Sequence, residues 1–502
     1  MGKRQSYDGV ALCAPFTTAY QRYSIETAHW WIARALKGSL DLAGLRPSEI
    51  DGFTVSSFTL FPDTAVGLTQ HLGLSPRWLD HIPMGGASGV VALRRAARAV
   101  QSGDADIVAC VAGDTNHIDS FRLMLSSFSR FASDASYPYG YGGPNANFAL
   151  LTDRYMQEFG ATREDFGKIC VAQRQNALSN PGAVMKKPLT LEQYLAAKPI
   201  SDPIALFDCV MPCAGSEAFL VMSEEEAAKR ALPYARISGA IERHNAHAED
   251  PIQLRGGWSV DIDELWDMAS CAPVDMDLVQ TYDDYPVISA MQIEDLGFCP
   301  KGEAPSFLRD KDMTIKGDFP HNTSGGQRAA GQAGAAGGFI GLVEAIRQVT
   351  GQAGPTQVAG ASSALVSGFG MINYDRGVCS TAAVITGGAR GQTRCPPLPR
   401  KIHRSEQFPL HDRPRRAAAP LLALVLPRQR GVLRCNTATT AAKCNIPRAM
   451  PAADVFQQSF VGKIRIQRER FLPKPRSTPQ PSSIFANARL GAQAACNWMR
   501  DR

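Results

Sequence analysis

A chain of 502 residues, 44% of them hydrophobic, is long enough to bury a large core and to form more than one domain. Its formal net charge of +6 is unevenly spread: residues 391–502 carry 21 Lys and Arg against 5 Asp and Glu, which leaves 32 against 42 for residues 1–390. The acidic balance of that larger part excludes a nucleic-acid footprint there, and twelve cysteines without a Cys-x-x-Cys pair support neither a disulfide scaffold nor a structural zinc site.

The N-terminus, MGKRQSYDGVALCAPF, lacks the apolar run of a secretory signal, and no stretch reads as a membrane span, so a cytoplasmic protein is expected. Ser24 to Leu45 reads as an amphipathic helix with Ser24 at its N-cap. A strand is predicted in EIDGFTVSSF (49–58), then a small-residue loop, Gly85-Gly86-Ala87-Ser88-Gly89, that opens a helix, then a strand in DIVACVAGD (106–114). Residues 118–213 mix aromatic, turn-rich and helical pieces ahead of the strand SEAFLVM (216–222); an insertion of that size between two strands reads as a lid or binding subdomain. A second half starts at Pro233 with the strand YARISGAI, followed by a strand in DMDLVQTYDDY (275–285), a glycine-crowded loop, a helix and the strand STAAVITGG (380–388). Residues 391–502 hold 13 of the 33 prolines and no sustained periodicity. They read as a disordered basic extension or as a reading frame running past its stop, with a basic arm for an acidic partner as the functional alternative.

The glycine loop from Gly325 to Gly341 is the point of greatest interest. Glycines remove side chains that would hold a ligand away, and the first N–H groups of the following helix have no partners inside it, so Gly325 and Gly326 are ligand-binding candidates. The arrangement occurs twice. GVVALRRAARAV (89–100) aligns without gaps to GFIGLVEAIRQV (338–349), sharing Gly89/Gly338, Leu93/Leu342, Ala96/Ala345, Arg98/Arg347 and Val100/Val349. Each copy lies between two strands, so a strand, glycine loop, helix, strand unit is duplicated.

Several segments, in this order and spacing, resemble the thiolase superfamily over residues 8–390: AGLRPSEIDGF, the GGASG loop, FALLTDRYMQEFGATREDF, KPISDPIALFDCVMPCAGSEAFLVMS, TYDDY, LGFCPKGEAPSF and NTSGGQRAAGQAGAAG. The likeness is to its sterol-carrier-type and lipid-transfer-type branch. It implies a duplicated, five-layered αβαβα fold with an N-terminal half (1–117), an inserted loop domain for the CoA moiety (118–213), the last strand of the N-terminal half (214–232), a C-terminal half (233–390) and the basic tail (391–502). It also implies a homodimer and an acyl-CoA substrate, with no bound cofactor.

The chemistry departs from the family's pattern. Gly86 stands where the family has its nucleophilic cysteine, Gln332 where it has the histidine of GHPxGxxG, and Val366 where a second cysteine precedes a glycine turn, here Gly368-Phe369-Gly370-Met371. Glutamine donates a hydrogen bond but cannot carry a proton away at neutral pH. Tyr282-Asp283-Asp284-Tyr285 replaces the NEAF or HDCF strand end, as in the lipid-transfer-type aldolases of steroid side-chain breakdown, which work with a small zinc-ribbon/OB-fold partner. The resemblance therefore implies carbon–carbon bond cleavage or formation beside a CoA thioester, by retro-aldol rather than acyl-cysteine chemistry. Tyr282 would exchange a proton with the β-hydroxyl, its pKa lowered or its proton relayed through His321, Asp283 or Tyr285, while Gln332 and N–H groups around Gly86 and Gly370 hold the enolate. Secondary candidates are Tyr374, Asp375 and a displaced nucleophile at Cys379, Cys209 or Cys213. Ser216, His244 and His247 are candidates for CoA contact, with Arg122, Arg130, Arg174, Lys186 and Lys187 for its phosphates. No metal site is expected at Asp283-Asp284, since no histidine lies at ligand spacing. Two alternatives stay open: an acetyl-CoA acyltransferase using a displaced cysteine, and a non-catalytic acyl-CoA-binding scaffold.

Overall fold

The computed structural model describes residues 5–117, 143–374 and 376–388. The expectations for the basic tail, Arg122, Arg130 and Asp375 lie outside the described residues.

The N-terminal half runs β1 (Val10–Thr17), α1 (Ala28–Ala43), β2 (Gly52–Ser56), α2 (Ala65–Leu72), β3 (Trp78–His81), α3 (Ser88–Ser102) and β4 (Ile107–Asp114). The insertion supplies α4 (Pro144–Phe159), α5 (Arg163–Leu178), α6 (Leu191–Leu195) and the short strands β5 (Pro199–Ser201) and β6 (Ile204–Ala205), after which β7 (Gly215–Ser223) and α7 (Glu224–Lys229) complete the half. The C-terminal half runs β8 (Tyr234–His244), α8 (Trp258–Ala269), β9 (Leu278–Gln280), α9 (Pro286–Asp295), α10 (Ala304–Asp310), α11 (Gly326–Ala329), α12 (Gly337–Val349), β10 (Ser363–Asn373) and β11 (Arg376–Gly387).

The sheet order is β3-β2-β4-β7-β1-β8-β11-β10-β9. Outward from the β1–β8 junction, each half repeats one plan: its first strand, its last strand, the strand after the glycine helix, and the strand before it. β2 is parallel to β4 as β9 is to β10, and β4 is antiparallel to β7 as β10 is to β11. A bridge from Val279 to His321 stands where β3 stands in the first half. The duplication read from the helix sequences is thus a duplication of topology. The two half-sheets are joined at their edges by antiparallel pairing of β1 with β8.

Helices α3 and α12 form the central layer, sharing one hydrophobic core with residues of both half-sheets. They cross at the aligned glycines: a Cβ on Gly89 would lie 2.2 Å from Gly338 O, so neither helix could carry a side chain at that point. Helix α1 covers the N-terminal half-sheet, and α8 and α9 cover the C-terminal one, which gives the five layers. The insertion packs on the C-terminal half, with Phe148, Leu151, Tyr155 and Ile169 in the same core as Ile288, Met291 and Leu308.

Three expectations need correction. Helix α1 begins at Ala28 with Thr27 as N-cap, because the Ser24 hydroxyl accepts from Trp31 Nε1 (3.2 Å) and Glu26 N (3.0 Å) instead. The strand expected over 275–285 is only β9, since the backbone of Thr281 and Tyr282 is held by the side chains of Asn322 and Gln292. Gly368 to Met371 is not a turn but part of β10. Its glycines let the strand meet the Gly86 loop, with Cβ positions 2.7 Å from Gly86 O at Gly368 and 2.3 Å from Met84 O at Gly370.

Asp114, at the end of β4, ties the two halves together. Its carboxylate accepts from Ser57 Oγ (2.7 Å), Thr59 N and Oγ1 (both 2.6 Å) and, across the halves, Ala335 N (2.6 Å). Gly334 is required beside it, because a Cβ there would lie 2.1 Å from Asp114 Oδ2. Asp114→Ala strands these buried donors and is expected to cost about 3–5 kcal/mol, measured as a lower urea midpoint at unchanged slope, with Asp114→Asn recovering part of the loss.

Candidate active site

The site starts from a missing side chain. Gly86 lies in the single 3-10 turn Gly85–Ala87 that leads into α3, and a Cβ built on it would sit 2.1 Å from Tyr282 Cε2 and 2.2 Å from Tyr282 Cζ. The tyrosine ring occupies the space that a side chain at position 86 would fill. Tyr282 follows the end of β9 by two residues, and its backbone is clamped by one amide: its N–H donates to Gln292 Oε1 (3.1 Å) and its carbonyl accepts from Gln292 Nε2 (2.7 Å). Ser367 Oγ on β10 donates to the same Gln292 oxygen at 2.7 Å, so strand β10 helps orient the clamp. Gly86, Tyr282 and Gly370, from three distant segments, converge here.

The Tyr282 hydroxyl donates to Asp284 Oδ2 at 2.7 Å. Burial, then the neighbouring Asp284 charge, push the phenol well above its ordinary pKa. Burial and the Asp283 charge push Asp284 up to about 7, against the hydrogen bond from Tyr282 and the pull of Arg328. Its other oxygen, Oδ1, has no hydrogen-bond partner within the described structure. The expected lowering of the tyrosine pKa is therefore overturned: Tyr282 is a neutral phenol whose hydroxyl is bonded to a carboxyl pushed up to about 7. Asp284 is the residue that sequence reasoning missed. Its signal was present, an acid two positions after the tyrosine, but nothing in the linear order distinguished it from Asp283.

The three residues expected to relay the proton do other work. Asp283 accepts from Gln327 N (3.1 Å) and Nε2 (3.2 Å), anchoring the start of α11, and Gly326 is needed because a Cβ there would lie 2.2 Å from Asp283 Oδ2. His321 is buried with Nε2 on Thr281 Oγ1 (2.8 Å), and desolvation with the nearby Arg328 charge lowers its pKa to about 3, so it is neutral. Tyr285 donates to Asn145 Oδ1 and stacks on Phe148 with ring centroids 4.0 Å apart, so it ties the C-terminal half to α4.

Gln332 is held at the loop's edge by two backbone bonds, Gln332 N to Met211 O and Cys213 N to Gln332 O (both 2.9 Å), and its amide donates to Gly334 O at 3.3 Å. Gly337 lies against it, and the next residue, Gly338, packs on Gly85 and Gly86, which brings this loop to the site. Gly325 is buried against Ala177 of α5, which makes it a packing glycine.

Other candidates fall elsewhere. Tyr374 is 45% exposed at the tip of the β10–β11 hairpin. Ser216 is fully buried in β7 and donates to Trp31 O at 2.6 Å, so it belongs to the packing of α1 on the sheet. His244 is exposed at the end of β8 with Nε2 on Glu242 Oε1 (2.8 Å), and His247 contacts Ser259 Oγ (2.9 Å). Arg174 is buried and donates to Lys187 O, and Lys186 donates to Asn180 O and Pro181 O. Burial pushes the thiols of Cys379 and Cys209 up to about 12 and raises that of Cys213, the opposite of what a nucleophile needs.

A two-half α/β fold with paired glycine loops meeting at the end of an inner strand defines a thiolase-type protein, and comparison with known proteins agrees. The Thiolase C-terminal domain-like family matches residues 241–381. The steroid side-chain-cleaving aldolase of Thermomonospora curvata is 32% identical over 62% of this chain and 82% of its own length. The 17-hydroxy-3-oxo-4-pregnene-20-carboxyl-CoA lyase of Mycobacterium tuberculosis is 30% identical over 67% and 89%. Among solved structures, the Ltp2-ChsH2(DUF35) aldolase superposes with a TM-score of 0.66 at 26% identity, covering 76% of this chain and 98% of that one. The chain belongs to the thiolase superfamily, in its sterol-carrier-type and lipid-transfer-type branch.

Proposed function

We propose that this chain cleaves the Cα–Cβ bond of a 3-hydroxyacyl-CoA by a retro-aldol reaction in which Tyr282 and Asp284 move the proton. Making or breaking a carbon–carbon bond beside a CoA thioester is the reaction class of this thiolase-like enzyme. The observation that carries the retro-aldol reading is the Tyr282 ring in the space of a residue-86 side chain, with its hydroxyl on Asp284.

The β-hydroxyl proton passes to the Tyr282 oxygen as the tyrosine's own proton passes to Asp284. The Cα–Cβ electron pair moves onto the thioester as an enolate, and a ketone or aldehyde leaves. Proton return from Asp284 through Tyr282 to Cα gives the shortened acyl-CoA, with no net redox change and no water consumed. The amide of Gln332 and N–H groups beside Gly86 and Gly370 are the donors proposed for the enolate oxygen. Activity needs ionised Asp284, so kcat/KM is expected to rise with pH through about 7 and then level off, and Asp284→Asn to lose both that limb and most of the activity.

The working assembly is proposed to be a homodimer with a small zinc-ribbon/OB-fold protein, the elements from α4 to β6 holding the CoA moiety. The DUF35 component of the structurally similar aldolase supports such a partner. A reducing cytoplasmic setting fits the thiols at positions 13, 110, 170, 209, 213, 299 and 379, and no helix among the described residues is long and apolar enough to cross a membrane. Incubation with a panel of 3-hydroxyacyl-CoA thioesters, with and without such a partner, should release a carbonyl product and a shortened acyl-CoA. Binding without turnover in both conditions would replace this reading by a scaffold, and a trapped acyl-cysteine would replace it by acyl transfer.

A further inference from the structure

Glu217, on β7, is fully buried and takes no part in the chemistry above. A buried carboxyl needs partners, and two hydroxyls supply them: Tyr20 Oη donates to Oε1 at 2.5 Å, and Thr17 Oγ1 to Oε2 at 2.6 Å. Thr17 Oγ1 in turn accepts from Arg347 Nη2 on α12 (2.7 Å), the helix that follows the glycine loop. Tyr20 is 8% exposed, and its ring lies between two glycines. A Cβ on Gly215 would fall 1.9 Å from Tyr20 Cδ1, and one on Gly331 would fall 3.0 Å from Tyr20 Cδ2. Gly331, at φ +135°, is the residue before Gln332. The backbone joins the same two places. Gln21 pairs with Ala214 in both directions (2.9 and 2.7 Å), and the adjoining residues Met211 and Cys213 hold Gln332.

We propose that Tyr20, anchored by Glu217, is a positioning residue that fixes the direction in which Gln332 presents its amide to the enolate, a role that rests on the retro-aldol reading above. A glycine leaves its own backbone free, so the course of the chain at Gly331 is set by what packs against it, and the Tyr20 ring is one wall of that slot. The bond from the Gln332 amide to Gly334 O is long, 3.3 Å, and does not fix the amide by itself. The hydroxyl on Glu217 keeps the ring from tilting out of the slot. Tyr20 acts through Gln332 and need not touch the substrate.

The test measures kcat and KM for cleavage of a 3-hydroxyacyl-CoA by the full chain with its partner, in a double-mutant cycle. Gln332→Ala should lower kcat about a hundredfold, as loss of one enolate donor does. Tyr20→Phe, which keeps the ring and removes its anchor, should lower kcat about tenfold with KM changed by less than about twofold. Added to Gln332→Ala, Tyr20→Phe should cost less than about twofold more, because the side chain it positions is gone. Glu217→Gln, whose amide oxygen still accepts from Tyr20, should stay within about threefold of the parent. Gly331→Ala places a Cβ 2.7 Å from Cys213 Sγ and 3.0 Å from the ring, so it should lower kcat from the other side of the slot and serves where Tyr20→Phe does not fold. If Gln332→Ala is impaired while Tyr20→Phe and Gly331→Ala cleave at the parental rate, or if the tenfold loss persists in the Gln332→Ala background, the role of Tyr20 is overturned and the reaction stands. Parental cleavage by Gln332→Ala would instead remove Gln332 from the enolate site, and the role of Tyr20 with it.

Discussion

Tyr282→Phe is expected to lower the rate of carbon–carbon cleavage by a factor of about 10²–10⁴, the usual contribution of a positioned proton-transfer group, while thioester binding changes little. The phenyl ring still fills the space beside Gly86, so the loop that carries α3 keeps its support. Only the hydroxyl on Asp284 Oδ2 is lost. Its removal takes away one of the interactions that lower the Asp284 pKa, so any residual activity should show its acidic limb at higher pH than the parent. Single-turnover cleavage with saturating enzyme separates the chemical step from binding. A variant that cleaves at the parent rate would remove Tyr282 from the mechanism.

Gly86→Cys, the change that restores the superfamily's usual nucleophile, is expected to abolish cleavage without creating acyl transfer. Its Cβ would fall 2.1 Å from Tyr282 Cε2 and 2.4 Å from Phe369 O, so the ring must leave its place or the loop must move. Overpacking of this kind costs about 1–3 kcal/mol, and here it also separates the tyrosine from Asp284. Gly86→Cys combined with Tyr282→Ala removes the ring but leaves the Phe369 O contact, so it should lose less thermal stability than the sum of the two single variants, a non-additive pair because the two side chains compete for one volume. Mass spectrometry after exposure to acyl-CoA, together with melting curves of the single and double variants, reads both effects. A Gly86→Cys single variant that cleaves normally at parental stability would mean that the ring is free to sit elsewhere.

The parts of the site that the chain order revealed are those in which residue type alone carries the information. A glycine at position 86 has no sulfur, and a glutamine at 332 cannot shuttle protons at neutral pH, whatever surrounds them. The parts that stayed hidden depend on direction. Asp283 and Asp284 are chemically equal neighbours, yet one accepts from the α11 backbone and the other from Tyr282. Ser216 begins a predicted strand like any surface serine, and only the packing of α1 buries it. The stretch from Gly368 to Met371 has the composition of a turn, but the close approach of the Gly86 loop explains its glycines within a strand.

By itself the sequence determined the duplicated strand–helix architecture, since hydrophobic period and glycine placement are local properties that repeat at fixed offsets, and it located the loops that meet at the site. Only the tertiary structure decided which acid accepts the tyrosine's hydrogen bond and that the tyrosine ring takes the place of a side chain at residue 86. The first depends on the backbone direction past the end of a strand and the second on a volume shared by residues nearly two hundred positions apart, and burial there, by removing water, raises the pKa values of Tyr282 and Asp284.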